Sequence, residues 1–278
     1  MVSMTTPSLN NSPIGVMDSG VGGISVLKHI HALLPHENLH YFADSHYAPY
    51  GSKSAEAITQ RCVNIADYLI AQHAKTIVVA CNTATAAAIT TLRGRYQIPI
   101  IGMEPAVKPA AEATKNGIIG VLATVGTLKS AQFAALLENY GKDIKVITRG
   151  CEGLVECVEN GALNTPQTKA LITHYCAPLL AEGADTIVLG CTHYPFLRET
   201  IAEVVGNSIT LIDTGAAVAM QLKRQLDTHK LHANHLHRAH ITFNTNSKLP
   251  NATQVIDTLW GAFSQTPYSV VTHKPEWV

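Results

Sequence analysis

The chain has 278 residues, 46% of them apolar and 14% charged, and its twenty Lys and Arg balance its twenty Asp and Glu. That length allows about two ordinary domains with real cores, the composition excludes a disordered chain, and zero net charge leaves no nucleic acid or membrane partner to expect. No uninterrupted apolar run approaches a membrane span. Residues 1–13 carry no Lys or Arg and no apolar core, so they read as a frayed leader and not a signal peptide. Six cysteines stand at 62, 81, 151, 157, 176 and 191 with no C-x-x-C among them. Without an export signal, that usage favours reduced thiols in the cytoplasm over a disulfide framework.

In chain order, residues 13–17 predict a strand, then Gly20-Val-Gly-Gly23 and a helix over about 24–34. Residues 39–42 predict a second strand. Ile58, Cys62, Ile65, Ala66 and Leu69 share one helical stripe that Ser52 or Ser54 can cap. Residues 76–80 are apolar at nearly every position, as in a strand buried on both faces, and 98–101 predict the next strand. The pattern then restarts. Residues 117–123 predict a strand with Thr124-Val-Gly-Thr127 as its loop, a helix follows near 130–140, and 144–148 predict a strand. Thr165-Pro166 opens a helix whose face carries Leu171, Tyr175 and Leu179, and Gly183 ends it. Strands follow at 186–190 and 209–212. The alternation implies an α/β fold with parallel sheets covered by helices.

Three anchors recur in order. Ile14-Gly-Val16 returns as Ile119-Gly-Val121, Thr76-Ile-Val-Val-Ala-Cys81 as Thr186-Ile-Val-Leu-Gly-Cys191, and Ile100-Ile101 as Leu211-Ile212. Two similar halves are expected, each ending one strand in a cysteine. Ligands of open α/β sheets bind outside the carboxyl ends of strands, so Cys81 and Cys191 can face one cleft from opposite sides. A lone buried cysteine is ordinarily inert packing. These two stand beside the hydrogen-bonding residues Asn82, Thr83, Thr192 and His193 instead of core formers. Cys62 reads as core, Cys157 and Cys176 as core or surface, and Cys151 is ambiguous.

Asp18-Ser19-Gly20 follows the first strand. Its Asp can orient an ammonium or a thiol and the glycine amides can hold a carboxylate, or the segment is only a cap or turn. A dinucleotide fingerprint would need Gly at 25, where Ser25 stands, and no P-loop Gly-Lys-Ser/Thr follows. Tyr47-Ala-Pro-Tyr50-Gly51 can close over a ligand or be an ordinary loop. His229, His232, His235, His237 and His240 match no defensible metal spacing and are expected to have no acidic or Cys partner nearby, so they read as a solvated helix or linker. No metal and no cofactor is expected.

Two thiols suit inversion at an α-carbon. One proton must leave one face while another arrives on the opposite face, so one flanking group is deprotonated and the other protonated. Neighbours bring a cysteine thiol within reach of both states near neutral pH, and fixed donors can hold the α-carboxylate and the carbanion.

Met17-Asp-Ser-Gly-Val-Gly-Gly-Ile-Ser25, Tyr50-Gly51, Val79-Ala-Cys-Asn-Thr-Ala84, Gly102-Met-Glu-Pro105, Leu189-Gly-Cys-Thr-His-Tyr-Pro195 and Asp213-Thr-Gly215 together resemble the glutamate racemases, in family order from residue 14 to about 219. The resemblance implies production of D-glutamate for peptidoglycan in a bacterial cytoplasm, with L- and D-glutamate as the small-molecule substrates. It implies Cys81 as the base toward D-glutamate and Cys191 as the base toward L-glutamate, with Asp18 and His193 assisting. Substrate contacts carry over to Asp18, Ser19, Tyr50, Gly51, Asn82, Thr83, Thr192 and His193. A further assisting glutamate maps to Glu159, where the family often has proline after the preceding cysteine and this chain has Glu152. The resemblance also implies that the first domain takes back the C-terminal segment: residues 1–104 with 214–278 form one α/β domain and 105–213 the other, related by pseudo-symmetry about the cleft. A homodimer is left open. Rival readings are an aspartate racemase-like enzyme, a Cys–His hydrolase using Cys191, and an amino-acid binding protein in which both thiols are dispensable.

Overall fold

The structure, a computed structural model, describes residues 9–261 and 263–274. Four strands, β1 (Ile14–Asp18), β2 (Leu39–Ala43), β3 (Thr76–Val79) and β4 (Ile100–Ile101), lie side by side in the order β2-β1-β3-β4. Four more, β5 (Ile118–Ala123), β6 (Lys145–Gly150), β7 (Thr186–Leu189) and β8 (Thr210–Ile212), form a second sheet in the order β6-β5-β7-β8. β9 (Ile241–Thr245) and β10 (Tyr268–Thr272) return to extend the first sheet beyond β2. Every pairing is parallel. β1, β3 and β7 are buried throughout, as a sheet covered on both faces requires.

The sequence repeat is a repeat of register. Ile14 stands opposite Thr76 in the first sheet and Ile119 opposite Thr186 in the second. Ile77 and Val78 oppose Ile100 and Ile101, as Ile187 and Val188 oppose Leu211 and Ile212. All three anchors therefore occupy equivalent places. Gly15 and Gly120 share a reason for being glycine. A Cβ on the first would meet Leu69 and Ala74 at 3.1 and 3.2 Å, and one on the second would meet Leu179 at 2.7 Å. In each half a helix lies directly against the central strand.

The helices over Ile24–Leu33, Ala55–Ala71, Ala131–Tyr140 and Pro166–Ala181 stand where the apolar stripes put them, the last three capped by the hydroxyls of Ser54, Ser130 and Thr165. Four readings change. Thr124–Thr127 is no loop: Thr124 caps a helical turn over Val125–Leu128. Helices over Asn82–Arg95 and Val107–Ala113 went unread because they are built mainly from Ala and Thr, or hold a proline, and show no apolar stripe. The leader reading fails for residues 9–13. Leu9–Asn11 forms a 3-10 turn, Asn38 Nδ2 donates to Asn11 O at 2.9 Å, and Lys75 Nζ bonds Asn10 O; residues 1–8 lie outside the described residues. The histidine stretch does have acidic neighbours: His232 Nε2 meets Asp227 Oδ1 at 2.7 Å, and its Nδ1 lies 3.9 Å from Glu37. Among the described residues no three His, Cys, Asp or Glu side chains gather to hold a metal, and no helix is long and apolar enough to cross a membrane. The six cysteines are free. Cys62 is core, its thiol pushed up to about 12 by burial.

The returning C-terminal strands complete the first core. Phe243 of β9 is fully buried and packs edge-on or tilted against Tyr41, Trp260 and Tyr268. Phe243→Ala should therefore cost about 3–5 kcal/mol through the cavity it leaves. Urea unfolding checks this, and a loss below about 1 kcal/mol would mean that β9 is only an edge ornament.

Candidate active site

Cys81 and Cys191 follow β3 and β7, the equivalent strands of the two sheets, and both line one narrow cleft. Cys81 is the N-cap of the helix over Asn82–Arg95, and its Sγ accepts from Ala84 N at 3.4 Å. Ser19 Oγ lies 3.7 Å from the same sulfur. Burial, reinforced by the nearby Asp18 carboxylate, holds the Cys81 thiol well above the ordinary range. Asp18 sits behind the cleft wall. Its Oδ1 accepts from Ser19 N at 2.7 Å, and its Oδ2 accepts from Gly23 N at 2.6 Å and from Thr192 Oγ1 at 3.2 Å. Burial pushes its own carboxyl upward, against the charge of His193.

On the other side, Cys191 Sγ lies 3.7 Å from His193 Nδ1, and His193 Nε2 lies 2.6 Å from Glu159 Oε1. Burial works against a charged imidazole here, yet Cys191 and Glu159 outweigh it and hold His193 well above an ordinary histidine. Glu159 ends the helix over Leu154–Glu159 in the second half and reaches into the first. Its Oε1 also accepts from Val21 N at 2.7 Å, and its Oε2 accepts from Ser45 Oγ at 2.7 Å. The glycine loop is shaped around this pair. A Cβ on Gly20 would stand 1.9 Å from Glu159 Oε1, and one on Gly22 2.2 Å from His193 Nδ1. The amides read as cradles for a ligand carboxylate hold carboxylates of the chain itself: Val21 N takes Glu159 and Gly23 N takes Asp18.

A third wall comes from the loop after β2. Asp44, fully buried, binds Arg61 through two hydrogen bonds of 2.6 and 2.9 Å, accepts from Tyr50 OH at 2.5 Å and from Asn246 Nδ2 at 2.5 Å. The Tyr50 hydroxyl is thereby anchored on Asp44, and Tyr50 lines the cleft together with Pro49 and Gly51. Opposite it, the hydroxyls of Thr83, Thr124 and Thr127 form a triangle of 2.8–3.1 Å that joins the two halves.

Of the residues singled out in the sequence, Ser19, Tyr50, Gly51, Cys81, Asn82, Thr83, Cys191, Thr192 and His193 line the cleft, while Asp18 and Glu159 stand one layer behind. Asn82 is buried with both amide atoms unpartnered, a state that costs free energy unless a ligand supplies the bonds. Among the described residues of the lining, His193 is the only basic side chain. Sequence reasoning missed Ser45, Thr124 and the Asp44–Arg61 pair. Thr124 carried one usable signal, a Thr-x-x-Thr cap spacing; Ser45 carried none.

Residues 14–222 match the family model described as Asp/Glu/hydantoin racemase. The curated glutamate racemase of Ectopseudomonas mendocina is 61% identical over 80% of this chain and 85% of its own length. Two solved structures superpose at a TM-score of 0.81 while covering 94% of this chain and 98% of theirs. They are a glutamate racemase isoform from Bacillus anthracis, 33% identical, and the Escherichia coli glutamate racemase in complex with L-glutamate and activator UDP-MurNAc-Ala, 30% identical. With two parallel sheets of matching register and a cysteine of each facing one cleft, the chain belongs to the glutamate racemases of the Asp/Glu/hydantoin racemase family.

Proposed function

We propose that the chain interconverts L- and D-glutamate by moving protons at the α-carbon between two thiols, without a cofactor, and that it supplies D-glutamate for peptidoglycan in the bacterial cytoplasm. The observation that carries this reading is the pair of sulfurs at equivalent strand ends, lining one cleft. The substrate α-carbon sits between them. Cys191 takes the proton of L-glutamate and Cys81 delivers its own to the opposite face; toward D-glutamate the roles exchange. Burial and Asp18 favour the protonated Cys81 that the first direction needs. The charged His193, braced by Glu159, stands where it meets negative charge on Cys191. Donors of the cleft, with Asn82 and the backbone around Ser19, Gly51, Thr83 and Thr192, hold the two substrate carboxylates. Residues 1–104 with 214–278 and residues 105–213 are the two bodies that clasp it.

One observation favours a rival. Cys191, His193 and Glu159 stand in the order thiol, imidazole, carboxylate, as in a Cys–His hydrolase. Such an enzyme has no use for Cys81.

Each thiol should therefore be tested alone. Cys81→Ser and Cys191→Ser should each lower racemisation by roughly 10²–10⁴-fold, since serine is a far weaker acid–base partner. A glutamate analogue with a leaving group on the β-carbon needs only one base to eliminate. Cys81→Ser should eliminate from the L-enantiomer and Cys191→Ser from the D-enantiomer. Near wild-type racemisation by either variant, or the same handedness in both, sinks the two-thiol mechanism. Activity should survive exhaustive dialysis against EDTA with no bound chromophore in the absorbance spectrum; activity restored only by a metal or by pyridoxal phosphate would contradict it. Glutamate should be preferred to aspartate by a wide margin in kcat/KM. The donors placed for the distal carboxylate are left unpaired by a side chain one methylene shorter. Comparable values for the two would favour an aspartate racemase-like enzyme.

A further inference from the structure

Ser45 belongs to the first half, yet its hydroxyl is spent on a residue of the second. Its Oγ donates to Glu159 Oε2 at 2.7 Å. Both of its chain neighbours are pinned. Asp44 is held by Arg61, Tyr50 and Asn246, and its own N donates to Asp18 O at 3.0 Å. His46 N donates to Asn246 Oδ1 at 3.0 Å. The serine therefore stands on a rigid mount. Glu159 has a reason to need it: Ser45 and Glu159 both border a second, open cavity on the far side of Pro49 and Val155. A carboxylate on such a rim can turn outward to water. Here its Oε1 is fixed by Val21 N and His193 Nε2, and its Oε2 by Ser45.

We propose that Ser45 is a positioning residue for one side of the reaction only: by anchoring Glu159 it orients His193 against Cys191, and it leaves the Cys81 side untouched. Resting on the two-thiol reading, the inference adds to it a division of labour. The Cys81 side has its own supports in Ser19, Ala84 N and Asp18, and none of their hydrogen bonds involves Ser45. The loop after β2 thus serves the thiol on the opposite sheet.

The test adds Ser45→Ala to each single-thiol variant and follows elimination. In the Cys81→Ser background, elimination from the L-analogue should fall on the order of tenfold, the scale for losing a hydrogen bond to a charged group. In the Cys191→Ser background, elimination from the D-analogue should not change. Ser45→Thr, which keeps a hydroxyl, should restore the first. A second readout needs neither thiol. The proton between His193 Nε2 and Glu159 should give a low-field NMR signal that Glu159→Gln removes and Ser45→Ala shifts. Equal losses on both sides would make Ser45 a brace between the halves and overturn the inference, as would no loss on the L side. Should the single-thiol variants show no opposite handedness, the two-thiol reading fails by itself. The NMR signal then decides the link from Ser45 to His193: if it is unmoved by Ser45→Ala, that link is wrong as well.

Discussion

The Glu159 carboxylate is the point where the two halves become one site. It belongs to the second half and accepts hydrogen bonds from Val21 N and Ser45 Oγ of the first, while its remaining bond goes to His193. A carboxylate taken out of water is costly unless its lone pairs are met by well-placed donors. Here the donors come from opposite sides of the cleft, so the pair is complete only when the halves are together. The glycines at 20 and 22 follow from the same constraint, because side chains there would occupy the positions of Glu159 and His193.

Around that contact the electrostatics of the two sides differ. Cys81 lies under the influence of a buried carboxylate, Asp18, and of burial itself, both of which favour the neutral thiol. Cys191 lies beside an imidazole that its neighbours keep charged. Pseudo-equivalent strands therefore deliver chemically unequal thiols. The inequality arises after the strand ends, where one chain enters a helix directly and the other passes through His193 and a 3-10 turn over Tyr194–Leu197. Among the described residues of the lining, His193 is the only basic side chain. Beside it the buried amide of Asn82 has no hydrogen-bond partner on either atom.

Much of this is legible in the amino-acid sequence. The strand anchors were readable because a parallel sheet buried on both faces demands continuous β-branched runs, and the repeat of Thr76–Cys81 as Thr186–Cys191 survives as a repeat of register. The helix over Ala55–Ala71 was readable from Ile58, Cys62, Ile65, Ala66 and Leu69, all buried. The helix over Asn82–Arg95 was not. Its buried positions are Asn, Thr, Ala and a single Leu, which give no apolar contrast for periodicity to detect. The Tyr50-Gly51 motif was found, but the anchoring of the Tyr50 hydroxyl was not, because it depends on Asp44, which is itself held by Arg61 seventeen residues further along the chain.

By itself the sequence determined the α/β class, the two similar halves and the two cysteines at strand ends, because these are written in local patterns of two to six neighbouring residues. Only the tertiary structure decided which groups touch. Glu159 meets Val21 across 138 residues, Ser45 meets Glu159 across 114, and Thr192 meets Asp18 across 174. Such contacts leave no periodicity in the chain. They arise where elements of the two sheets meet, and Ser45 becomes part of the site only through what the opposite half brings to it.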